Sequence, residues 1–183
     1  MLNKHITIKK SDRKLSQYLR RRKLVAALDG SAHTGTKASF AYYLANSTSG
    51  KLIYATHGPT LVDPEHASSD RSELLGILGV VTKLNEIEVG IKYKKIKKKS
   101  SSVTLYTDSS SSILVLQNKF RPSTKNVMKC NMDVILEIQE EQKKLKSSLR
   151  LVHVKAHPDD DMMYEDLPLP AKLNVDMEKL AEL

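Results

Sequence analysis

KLVAALDGSAHTGTKASFAYYLANSTSGKLIYATHGP, residues 23–59, decides the fold. It holds three short apolar runs, KLVAALDGSAH, KASFAYYLAN and KLIYATHGP, rich in β-formers or alternating in polarity. Thr34-Gly35-Thr36 parts the first two, and Asn46-Ser47-Thr48-Ser49-Gly50 parts the last two. Both separators are turn-forming, so the stretch predicts an antiparallel meander. Downstream, SSDRSELLGILGVVTKLNEI sets Leu74, Ile77, Leu78, Val81 and Leu84 at intervals of three and four, which predicts an amphipathic helix opening near Asp70. SVTLYT reads as a buried strand, followed by a helix from Ser109 to about Lys119 and a break at Arg121-Pro122-Ser123. A longer helix over NMDVILEIQEEQKKL, the strand RLVHVKAH and a closing helix complete the chain. The order βββαβααβ plus a last helix predicts an α/β fold, a mixed sheet covered by helices.

The 183 residues fit one domain with a proper core. The single cysteine, Cys130, cannot form an internal disulfide, and no apolar stretch approaches the ~18 residues of a membrane span. The expectation is a soluble intracellular protein, cytoplasmic or nuclear, with no membrane partner. The N-terminus is basic without the apolar core of a secretory signal. Residues 1–23 carry nine Lys/Arg against one Asp, and KYKKIKKK at 92–99 carries six Lys and no acid. Together they hold +14 of a net +9, so the rest of the chain is −5; residues 156–183 alone hold eight acids against two lysines. Residues 1–22 therefore read as a basic arm or linker and residues 23–183 as the domain. Basic stretches suit a phosphate backbone, and clustered acids beside them suit divalent cations that bridge carboxylates and phosphate. A solvated surface accounts equally for the lysine runs.

Four acids stand out by position. Asp29 follows the apolar run LVAAL and Asp108 follows VTLYT, both at or near carboxyl ends of predicted strands, where α/β sheets hold ligands. Glu73 lies in the first turn of its helix, and LNVDMEKLAEL adds Asp176 or Glu178. Four carboxylates from four elements would repel one another unless cations joined them. Each also has a plainer reading: Asp108 as an N-cap, Asp70 with Glu73 as a capping box, Asp29-Gly30 as a turn, and Asp176 as an acid favouring a helix N-terminus.

In order, ALDGSA, SDRSELLGIL, LYTDSSSSI, VHVKAH and LNVDMEKLA resemble the motifs of type 1 ribonuclease H domains, from about Lys23 onward. VHVKAHPDDD followed by LPLPAKLNV is most similar to the RNase H domains of retroelement reverse transcriptases. The resemblance implies a five-stranded mixed sheet, an antiparallel meander then parallel strands, flanked by helices. It also implies hydrolysis of the RNA strand of an RNA/DNA hybrid with two Mg²⁺ ions, for which Mn²⁺ substitutes. Asp29, Glu73 and Asp108 carry over as catalytic metal ligands, and His157 as the mobile histidine after the last strand. Two metals ~3.5–4 Å apart activate a water and stabilise the leaving 3′ oxygen. Asp29, central in the sheet, is the expected bridging ligand. An imidazole at His157 would assist proton movement or product release; otherwise it is a surface histidine before Pro158. Ser31 and Asn118 are the expected substrate contacts. Other domains of a reverse transcriptase polyprotein are the expected protein partners.

The chain departs from the family in three places. Ala156 stands where glycine is usual, and Asp159, Asp160 and Asp161, read as a solvated loop, precede the final helix. No basic protrusion is evident between Lys119 and Asn131, which leaves the N-terminal stretch or the lysine loop to grip substrate. The rival reading is a degenerate module that binds nucleic acid or a partner without cutting.

In LNVDMEKLAEL, a wheel that buries Leu173, Met177, Leu180 and Ala181 sets Asp176 and Glu178 on opposite flanks, because two residues turn a helix by ~200°. Periodicity leaves the choice open. The family's N-x-x-x-D-x-L-A pattern aligns Asn174, Leu180 and Ala181 and favours Glu178, with Asp176 the alternative. From Asn174 the helix reads as cut short soon after it starts.

Overall fold

The computed structural model describes residues 7–9, 12–33, 37–60, 68–90, 101–117 and 131–181. In chain order the elements are β1 (Thr7–Lys9), α1 (Asp12–Arg20), β2 (Leu24–His33), β3 (Lys37–Asn46), β4 (Leu52–Pro59) and α2 (Ser69–Gly90). Then come β5 (Ser102–Thr107), α3 (Ser110–Gln117), α4 (Met132–Lys144), β6 (Ser148–His153), short 3-10 turns at Pro158–Asp160 and Tyr164–Asp166, and α5 (Leu169–Ala181).

The expected five strands form one mixed sheet: β2, β3 and β4 pair as an antiparallel meander, and β5 and β6 add in parallel beside β2. The three-residue β1 adds an edge next to β4, giving the order β1-β4-β3-β2-β5-β6. No described helix is long and apolar enough to cross a membrane. The Arg121-Pro122-Ser123 break and the lysine loop lie outside the described residues.

Alternation along the central strands sorts the core onto two faces. Leu24, Ala26 and Leu28 of β2, with Val103 and Leu105 of β5, pack beneath α1, α2 and α4. Val25 and Ala27, with Tyr106 beside them, pack against Leu173, Met177 and Ala181 of α5. Helices thus cover both faces. The same alternation turns Asp29 toward the α5 face and Gly30 toward α2.

Three expectations are corrected. Residues 12–20, expected within a basic arm or linker, form a helix whose Leu15 and Leu19 are wholly buried in the α2 core. Their spacing of four stripes one face of a helix, and each such burial is worth roughly 1.5–3 kcal/mol. Asp29 is neither at a strand end nor in a turn: β2 continues to His33, with Asp29 opposite Ala41 and Gly30 opposite Phe40. Finally, α5 opens at Leu169, five residues before Asn174, and runs for 13 residues. Pro168 and Pro170 disguise this start, yet a proline in a first helical turn gives up an N–H that has no partner there anyway. Pro168 O accepts from Ala171 N at 3.0 Å and Lys172 N at 3.1 Å, which starts the helix.

Candidate active site

Parallel pairing of β2 with β5 sets Ala27 opposite Tyr106, so two residues on, Asp29 stands level with Asp108. Alternation turns both toward the α5 face and turns Thr107 toward α2. Glu73 arrives from that opposite side. It can do so because residue 30 is glycine: a Cβ there would lie 2.5 Å from Glu73 N and 2.8 Å from Ser72 Cβ. The bare backbone lets the first turn of α2 press onto β2. Gly30 N then donates to Glu73 Oε1 at 2.9 Å, while Thr107 Oγ1 donates to Oε2 at 3.0 Å. Glu73 is only 3 % exposed, so these two donors, one from each central strand, fix a buried carboxylate in one orientation.

The plainer readings of these acids do not hold. Ser68 Oγ accepts from Arg71 N at the start of α2, and Glu73 reaches across to β2, so Asp70 and Glu73 form no capping box. Ser109 Oγ, not Asp108, accepts from Ser112 N at the start of α3. Asp176 lies mid-helix, away from the N-terminal dipole.

Asp29, Glu73 and Asp108 each offer an oxygen within 4.8 Å of the others. Burial, then the charges of Asp29 and Asp108, push the Glu73 carboxyl up to about 9 against the pull of Thr107 and Gly30. Burial, then Asp108, push Asp29 up to about 6; hydrogen bonds from Glu73 and Gly30 pull it back in part, and Glu178 adds to the rise. Without a cation the cluster therefore keeps a proton at neutral pH. Three converging carboxylate oxygens with raised proton affinity are a donor set for a hard divalent cation such as Mg²⁺ or Mn²⁺. The residues fit the ion.

These three acids line an open cleft with Ser31, Ser69, Asp70, Ser109, His157 and Glu178. His157, at φ 44, follows β6 and sets its Nδ1 2.6 Å from Glu178 Oε1. The cleft thus brings together Asp29, Glu73, Asp108, Ser31, His157 and Glu178. Asp176 is exposed outside it and accepts from Tyr164 Oη at 3.0 Å. Asn118 lies outside the described residues. Asp159, Asp160 and Asp161 are exposed and do not line the cleft, as expected of a solvated loop, and Asp161 pairs with Lys155.

Sequence reasoning missed two contributors. Thr107 is wholly buried, orients Glu73, and accepts from Ser109 N at 3.1 Å; its only signal was a hydroxyl closing a buried strand. Asp70, weighed only as a cap, lines the cleft and accepts from Ser111 Oγ at 2.9 Å.

No family model matches the chain, and no curated protein is similar to it in sequence. Solved structures are similar in fold. The N-terminal RNase H domain of a Mycobacterium tuberculosis protein matches at TM-score 0.53 and 9% identity, over 87% of this chain and 95% of that one. LC11-RNase H1 in complex with an RNA/DNA hybrid matches at 0.51 and 14%, over 73% and 86%. A foamy viral protease-reverse transcriptase in complex with double-stranded DNA matches at 0.53 and 16%, over 87% and 96%. The chain has the RNase H-like α/β fold, and its acidic cluster can hold a divalent metal ion.

Proposed function

We propose that the protein hydrolyses the RNA strand of RNA/DNA hybrids endonucleolytically, with divalent metal, as part of a retroelement reverse transcriptase. The carrying observation is the convergence of Asp29, Glu73 and Asp108 within 4.8 Å in an open cleft that Glu178 and His157 also line. The hybrid bound by LC11-RNase H1 supports the substrate, and the likeness to a foamy viral reverse transcriptase supports the context.

Two Mg²⁺ ions, or Mn²⁺ in their place, would be held by Asp29, Glu73, Asp108 and Glu178. When bound, such ions supply a water nucleophile at neutral pH and charge stabilisation for the leaving 3′ oxygen. The remaining work belongs to the chain. Asp29 feels the charges of both Asp108 and Glu178 and lies within reach of Glu73, so it would hold metal together with these acids. Gly30 N and Thr107 Oγ1 hold Glu73 in place. His157 lies at the rim with its Nδ1 2.6 Å from Glu178 Oε1, where an imidazole would move a proton or help product leave. Ser31 lines the cleft and would meet the RNA strand, whose 2′-OH distinguishes it from DNA.

The test is incubation of a labelled hybrid with Mg²⁺ or Mn²⁺, beside matched RNA and DNA duplexes. Cleavage confined to the RNA strand, abolished by EDTA and by Asp29→Asn or Asp108→Asn, is expected. Equal cutting of double-stranded DNA, or activity surviving both substitutions, overturns the reading. Binding without cutting would identify the degenerate module instead.

A further inference from the structure

The acids and the strongest described run of cations lie at opposite ends of the sheet. β2, β5 and β6 are parallel and start together, with Val25 opposite Thr104 and Ser102 opposite Ser148, while the cleft lies beyond their other ends. At the starting end α1 runs into β2 through Arg20, Arg21, Arg22 and Lys23, four consecutive exposed cations. The turn between them is built. Lys23 N donates to Tyr18 O at 2.9 Å and Arg22 N to Leu19 O at 3.1 Å, closing the helix with Arg22 at φ 56. Glycine meets that φ without the steric cost an arginine bears.

A fifth cation joins them across the sheet. Ser47 N donates to Lys23 O at 3.0 Å, and its neighbour Asn46 N donates to Lys51 O at 3.1 Å, which brings the tip of the β3–β4 hairpin beside the end of α1. Lys51 is exposed. Arg20, Arg21, Lys23 and Lys51 have no ion-pair partner among the described residues. Basic residues in a last helical turn offset the helix dipole. That accounts for Arg20, and leaves Arg21, Lys23 and Lys51, which lie past the helix.

From Lys23 to Asp29 is six residues of extended chain, about 20 Å at ~3.3 Å per residue. A polyanion is drawn to this end and repelled by the metal-free cleft. A duplex engaged at the cleft is too stiff to bend round the domain, with a persistence length of about 150 base pairs for DNA. A single strand is not.

We propose that the end of the sheet formed by Arg20, Arg21, Lys23 and Lys51 is a second nucleic-acid contact, which holds a single-stranded stretch about 20 Å from the cleft. It needs no cleavage to operate, so its test is separable from that of the activity.

Anisotropy of a labelled single-stranded RNA of about 20 nucleotides, longer than the ~4–16 that typical single-strand modules cover, is read in EDTA across a salt series. One variant carries Arg20→Glu, Arg21→Glu and Lys51→Glu; a charge-matched control carries Lys143→Glu, Lys155→Glu and Lys179→Glu, exposed cations on other elements. The first should weaken binding at least tenfold near 0.1 M salt and flatten the log–log salt slope by about 2, as three lost single-strand phosphate contacts require. The control should change it far less. Equal loss in both variants, which would mean net charge alone acts, overturns the proposal, as does wild-type affinity in the first. Photo-crosslinking of the same probe to unmodified protein is the second measurement: adducts at residues 20–23 or 51 support the contact, and adducts confined to the cleft overturn it.

Discussion

Asp29→Asn should stabilise the protein in metal-free buffer while abolishing its activity. Asp29 is pushed from its ordinary value near 3.8 up to about 6. At ~1.36 kcal/mol per pH unit, holding it ionised in the fold costs on the order of 3 kcal/mol. Asparagine keeps the shape, removes that charge, and removes the first of the two charges that raise Glu73. The sign follows from proton uptake. A carboxyl whose folded pKa is raised binds more protons in the folded than in the unfolded state, so its contribution is most favourable below about 4 and is lost as pH rises through about 6. For Glu73 the loss extends to about 9. In EDTA the variant should therefore melt about 6–12 °C above wild type at pH 8, at roughly 2–4 °C per kcal/mol for a chain of this size. The gap should close toward pH 4. Mg²⁺ or Mn²⁺ should raise the wild-type melting temperature and shrink the difference, since an ion that binds only the folded state stabilises it. Thermal melts from pH 4 to 9, with and without metal, read all of this. An Asp29→Asn protein that melts below wild type at every pH would show that the carboxylate is a structural partner, and the like-charge argument would fail.

On the final helix, Glu178→Gln should lower RNA-strand cleavage by more than about tenfold, the loss expected even of an outer partner of a metal site. It should cost less than Asp29→Asn, and Asp176→Asn should stay close to wild type; the reverse order in a hybrid-cleavage assay would mean that α5 presents its other flank. Thr107→Val should weaken Mn²⁺ binding about tenfold by calorimetry, because a hydrogen bond to a charged group is worth ~1.5–3 kcal/mol, and Thr107→Ser should restore it. Equal affinity in both would reduce Thr107 to packing. Leu15→Ala or Leu19→Ala should cost about 2–5 kcal/mol in urea unfolding, where truncation within a solvated arm would cost nothing. Charge reversal rather than deletion is therefore the sound probe of the N-terminal cations.

What the sequence hid follows from which contacts are local. The meander was legible because alternation and turn residues act over a few positions, and Asp29 was legible as a charge interrupting an apolar run. The helix over residues 12–20 was obscured by its charge count, although Leu15 and Leu19 already stood four apart. The start of α5 was obscured by Pro168 and Pro170, which read as loop until the first turn is seen to lose nothing by them. The choice between Asp176 and Glu178 lay beyond periodicity altogether, since both flank the buried stripe. It depends on how α5 lies against β2, a contact between residues more than a hundred positions apart.

Glu73 shows the same limit at the centre of the site. Its place near the start of α2 was legible, although the helix opens at Ser69 and sets Glu73 just past the first turn; its orientation comes from Gly30 N and Thr107 Oγ1 on two strands. Helices on opposite faces of a sheet are kept apart by the strands between them, so their acids can meet only where that barrier thins. Gly30 thins it. With no side chain, it lets α2 press close enough for Glu73 to reach past the strand to Asp29 and Asp108, which alternation turns to the α5 side. The residue that assembles the cluster thus carries no charge. Gly30→Ala, which sets a Cβ 2.5 Å from Glu73 N, would push α2 off β2 and separate the carboxylates without removing any of them.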